Sequence, residues 1–157
     1  MKKISLLFNF ILLGVIAFGV YKFILVGETK KHQADGRTAI VLNAGEKDLI
    51  LTEMRAFLAS TQQIVAAISQ DKLEQAIIAA KKSGKAAQAD VPASLVGKLP
   101  LAFKKLGFST HIKFDELAMD AEDMDDSEQS LKLLGELMQN CVACHSAYKI
   151  ELESTTK

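Results

Sequence analysis

Asn140-Cys141-Val142-Ala143-Cys144-His145-Ser146-Ala147-Tyr148-Lys149 stands near the C-terminus of this chain. It closes a run in which Leu131, Leu134, Leu137, Met138, Cys141, His145 and Tyr148 advance by threes and fours, the spacing of one helical face. On such a helix Cys141 and Cys144 lie on neighbouring parts of one face, and His145 follows Cys141 by one turn. Both thiols can then reach the two vinyl groups of a single porphyrin, with the imidazole beneath its iron. C-x-x-C-H is the haem-attachment signature. Three other readings compete. A thioredoxin-like redox pair sits at a helix N-terminus after a strand, where the dipole lowers a thiol pKa, whereas this motif ends a helix. A zinc site needs about four ligands, and the only further histidines are His32 and His111. The plainest alternative is two buried, inert cysteines.

Working back from the motif, Asp125, Asp126 and Glu128 suit the positive end of the last helix. Before it, Pro100 fits the first turn of a helix in which Phe103, Leu106, Thr110, Phe114, Leu117 and Ala121 keep the 3.6 period. A second helix is expected from Asp71, as N-cap, through Leu73, Ile77 and Ala80, weakened at Gly84 and ended by Val91-Pro92. A short helical turn precedes Pro100. The first helix starts near Gly45. Its expected apolar face is Ile50, Met54, Phe57, Leu58, Thr61, Ile64, Val65 and Ile68. No pair of alternating runs joined by a hairpin turn is visible. The expected fold is all-α: an antiparallel four-helix bundle over residues 45–157, preceded by an N-terminal transmembrane helix.

That leading segment, residues 1–26, opens Met-Lys-Lys and is apolar from Ile4 to Val26. About 20 apolar residues cross a bilayer, while a cleavable signal has an apolar region of about 7–15 residues. Cleavage after Ala17-Phe18-Gly19 would leave Phe23 to Val26 on the mature chain, so an uncleaved anchor is the expected form and a cleaved signal the alternative. Lys2 and Lys3 favour a cytoplasmic N-terminus, although Lys22, Lys30 and Lys31 lie on the other side. Residues 27–44 read as a polar spacer, long enough when extended to span roughly 60 Å and let the domain move over the surface. With 19 basic and 19 acidic residues in 157, the charge balance argues against a nucleic-acid partner. No nucleophile–base pair, P-loop or metal-hydrolase motif is present, so no enzymatic activity is expected.

The stretch 140–149, at the end of a helical chain, resembles cytochrome c′ and its low-spin c-556 relatives, over about residues 45–152. Tyr148 and Lys149 match the aromatic and basic residues that follow the haem histidine in that family. The resemblance implies a four-helix bundle with one covalent haem c on Cys141 and Cys144, and His145 as proximal iron ligand. Haem attachment outside the cytoplasm implies a domain in the periplasm, held on the bacterial inner membrane by a single-pass anchor, or soluble there if the leader is cut. In the family the second axial position is served from the first helix, where Met54 stands, and Phe57 and Leu58 would pack on the haem together with Tyr148. Many members carry an Arg one turn before that position; Ile50 stands there instead, leaving the propionate partner unassigned, with Arg55 and Lys47 nearby. The family also includes homodimers.

A His145/Met54 iron is low-spin with a raised potential, which implies single-electron transfer between redox partner proteins. The alternative is that Met54 is core filler and the iron is five-coordinate, binding nitric oxide or carbon monoxide. A third reading is a haem-free helical scaffold. His111 is a minor candidate as ligand or haem neighbour. Met119, Met124 and Met138 fit core or surface roles, and His32 lies in the spacer. The eight acids between Asp115 and Glu128, with no base among them, suit either solvated helix ends or a surface for a basic redox partner.

Overall fold

The computed structural model describes residues 2–31 and 35–154; His32 lies outside the described residues. Of the described residues 76% are helical, with six α-helices among them. Helix α1, Lys2–Gly19, runs on as a π-helical turn, Val20–Val26. The stretch Leu6–Val26 has mean hydropathy 2.1 over 21 residues and is not buried in the protein. At 1.5 Å per residue it measures about 31 Å, the thickness of a bilayer's hydrocarbon core. Length and composition therefore suit a membrane span or a signal sequence.

Asn43 opens α2, Ala44–Ile68, with a reciprocal cap: its side chain accepts from the Glu46 N–H at 2.9 Å, and Glu46 accepts from the Asn43 N–H at 3.0 Å. The buried face of α2 is narrower than its periodicity predicts. Phe57, Ile64 and Ile68 are buried, while Leu58 and Val65, about 100° further round, are exposed. Helix α3, Leu73–Lys81, does not begin at an Asp71 cap; Asp71 takes φ +54 and reverses the chain instead. Short α4, Ala93–Lys98, follows Pro92, and Pro100 caps α5, Leu101–Met124. Asp125, at φ +49, ends α5, and the Asp126 carboxylate accepts from the N–H groups of Glu128 and Gln129 to start α6, Ser127–Ala147.

Helices α2, α3, α5 and α6 pack in a ring, α2 on α3, α3 on α5, α5 on α6 and α6 back on α2. Ala76, Ala79 and Ala80 bring α3 close to its neighbours, and Phe57, Phe114, Leu117 and Leu137 fill the centre. Contact is sparsest between α2 and α6.

The all-α expectation needs correction. Strands β1, Thr29–Lys31, and β2, Thr38–Leu42, lie in the segment read as a spacer, and β3, Tyr148–Leu152, follows α6 directly. Strand β2 pairs antiparallel with β1 and parallel with β3, with Thr38 opposite Tyr148 and Leu42 opposite Leu152. Ala39, Ile40 and Leu42 are fully buried, and Ile40 and Leu42 pack with Ile50, Leu95 and Leu99 in a second apolar cluster. Thus residues 38–42 are docked on the domain, and Tyr148, expected in the last helical turn, begins a strand.

Candidate cofactor site

The last two turns of α6 present Cys141 and Cys144, both half-buried, and His145, which is exposed. Facing them across the loosely packed side of the ring, α2 presents Leu51, Met54, Phe57 and Leu58. Between the two helices lies a crevice of about 400 Å³, lined by Met54, Cys141, Cys144 and His145 together, with Phe103 and Leu106 from α5. A second hollow, about 380 Å³, shares Leu51, Met54, Phe103, Cys144 and His145 and extends under the sheet to Arg37, Lys47, Tyr148 and Lys149. Each hollow is in the size range of small-molecule and cofactor sites. The joint space is apolar at one end and basic at the other.

The pieces are held by their elements. Met54 is half-buried and packs against both apolar clusters. Phe57, 7% exposed, stacks on Phe114 with ring centroids 5.5 Å apart, so most of its contact is with the core. Leu58 lines the crevice yet is 70% exposed. Tyr148 meets Phe103 edge-to-face at 5.4 Å, which fixes the ring where strand β3 leaves the helix. Met138 lines the crevice from the cysteines' own helix, and Met119 and Met124 are exposed.

Burial pushes both thiols up, Cys144 to about 11, where the neighbouring Cys141 adds to the effect. Both are therefore neutral thiols near pH 7, unlike the thiolate that a dithiol redox pair needs. No cluster of three or more His, Cys, Asp or Glu side chains suited to a metal occurs among the described residues.

His111 does not line the crevice. It is 2% exposed; its Nδ1 is 2.8 Å from the Ser83 carbonyl and 3.2 Å from that of Gly84, and its Nε2 is 3.1 Å from a Glu53 carboxylate oxygen. All three partners are acceptors, so both ring nitrogens donate when the ring is the imidazolium. Burial opposes that charge, but Glu53 and the two carbonyls outweigh it, and the pKa stands above the ordinary value. His111 thus ties α5 to α2 and to the end of α3.

Sequence reasoning missed Arg37 and the convergence of three bases at one end. Arg37 sits just before β2, Lys149 is in β3 and Lys47 is in the first turn of α2; the sheet and the α2 cap bring them to one hollow. Arg37 is held by Asp35 at 2.8 and 3.1 Å, and Lys149 by Glu151 at 2.9 Å. Lys149, just after the motif, and Lys47, noted near the unassigned propionate partner, were the signals of this site in the sequence. Of the acidic run, Asp126 caps α6, Asp115 accepts from the Lys85 N–H at 3.0 Å and Glu122 pairs with Lys81. No family model, no curated protein and no solved structure matches this chain.

Proposed function

We propose that this chain is a c-type cytochrome of the cytochrome c′ and c-556 kind, an electron carrier at the periplasmic face of the bacterial inner membrane. The observation that carries the reading is the single crevice lined at once by Cys141, Cys144, His145 and Met54. Two thiols beside an imidazole, with a thioether on the facing helix, form a donor set that fits a covalent haem with two axial ligands. The ring of α2, α3, α5 and α6 supports an antiparallel four-helix bundle, a fold that builds cofactor sites between facing helices.

In this reading Cys141 and Cys144 would hold the haem through thioether bonds, and His145 and Met54 would supply nitrogen and sulfur donors to its iron. Bound there, the haem supplies a one-electron iron couple whose potential a methionine ligand raises. The apolar walls, Leu51, Phe57, Phe103 and Leu106, exclude water from the couple and shift it further. Arg37, Lys47 and Lys149 provide positive charge at the other end, suited to the two propionates; no arginine from α2 is then needed at Ile50. Helix α1 and its continuation serve as the single-pass anchor.

One observation favours a second reading. Met54 packs into both apolar clusters, as a core methionine does. If it is only core, one iron face stays open to nitric oxide or carbon monoxide.

A pyridine haemochrome assay on full-length protein exported to the periplasm tests the shared premise. The expected result is one haem per chain, lost when both cysteines become alanine. A chain that exports and folds without haem would favour a helical scaffold.

A further inference from the structure

The apolar N-terminal helix ends against the corner between α4 and α5. Lys104, in the first turn of α5, donates from Nζ to the carbonyls of Phe23 at 2.9 Å and Ile24 at 3.4 Å. Carbonyls in the last turn of a helix lack partners of their own, and the dipole there favours a cation. Lys104 is 9% exposed, and these two carbonyls are its side-chain hydrogen-bond partners among the described residues. Gly27, next along the chain, has φ +68, and a Cβ there would sit 2.2 Å from the Lys98 carbonyl oxygen. That oxygen accepts the Glu28 N–H at 2.7 Å. The Phe23 ring lies over Gly97, in reach of where a Cβ would stand. Lys98 in turn joins Glu46 at 2.8 Å, where α2 begins, to Glu153 at 2.7 Å, just past β3.

The helix end is thus clasped by a cation, a close backbone approach that requires glycine, and a corner tied to the rest of the domain. These contacts fall on Phe23, Ile24 and Gly27, beyond a cut after Gly19, so the seat fixes the direction in which a retained span leaves the domain. We propose that the α4–α5 corner is a seat for a retained N-terminal helix, and that it holds the domain on the bilayer in one pose with this corner toward the lipid headgroups. The domain does not swing on a tether. Phe103, the neighbour of Lys104, lines the crevice, so the seat also sets the height of the crevice above the lipid. The inference rests on the reading of Leu6–Val26 as a membrane span and is independent of haem.

The test places a photo-cross-linker at the seat: Phe23→p-benzoylphenylalanine in the full-length chain, irradiated in native bacterial membranes and mapped by mass spectrometry. The expected result is a chain that keeps Leu6–Val26 and one dominant intramolecular cross-link, to residues 93–104. Lys104→Met should lower its yield about threefold and Lys104→Arg should preserve it. A mature chain lacking the span would overturn retention. A retained span whose cross-links fall on lipid or scatter over the domain would overturn the fixed pose, as would equal yields from Lys104, Met and Arg. The readout needs no haem, so it stands or falls apart from the cytochrome reading.

Discussion

At the scale of single residues, two polar contacts decide more than their size suggests. His111 is held by acceptors on both ring nitrogens, and its pKa lies above the free-histidine value of 6.5. Its contribution to stability is therefore full below that value and is lost as pH rises through the raised folded pKa. Wild type should exceed His111→Gln by about 2–4 kcal/mol at pH 6, and the gap should shrink toward pH 9 in urea unfolding. A gap that grows with pH would contradict the imidazolium assignment. Gly84 gives a second case. A Cβ there would stand 1.8 Å from an Asp115 carboxylate oxygen, so Gly84→Ala must push Asp115 off the Lys85 N–H. The expected cost is about 1–3 kcal/mol, and it should largely vanish in an Asp115→Ala background, since contacting residues couple. Additive costs would show that the contact does not set the price of the substitution.

At the scale of elements, what was legible in the sequence was local. The Cys141–His145 spacing, the caps near Pro100 and Asp126, and the 3.6 period from Phe103 to Ala121 each sit within a few turns of chain, and the helices follow them. The sheet was not legible, because β2 and β3 come from opposite ends of the chain and neither alternates strongly enough to declare itself alone. The same pairing explains why Arg37 was missed at the basic end of the crevice: Arg37 and Lys149 become neighbours only through the parallel ladder. Leu58 shows the opposite error, since a wide apolar stripe was expected on α2 and only part of it is covered. If the ladder is what docks residues 38–42, deleting residues 148–157 should remove amide-exchange protection from β2 while α5 stays protected. Unchanged protection in β2 would mean that Ile40 and Leu42 hold it by packing alone.

At the scale of the whole molecule, the 19 positive and 19 negative charges cancel, but they are not evenly spread. Among the acids of residues 115–128 with no side-chain partner assigned above, Glu116 and Asp123 are exposed on α5. If this end steers a basic redox partner, Glu116→Gln with Asp123→Asn should slow electron exchange several-fold at low salt and flatten its salt dependence. An unchanged salt profile would return these acids to the role of a solvated helix end. The central claim concerns the crevice between α2 and α6, and the most direct measurement is optical. Absorption spectra of the reduced and oxidised protein, with and without carbon monoxide, should be compared between wild type and Met54→Ala. The account predicts a low-spin wild type with the weak methionine-to-iron band at the red end and little response to carbon monoxide, and a Met54→Ala protein that binds the gas readily. A wild type that is already high-spin and takes up carbon monoxide would contradict it and make Met54 a core residue.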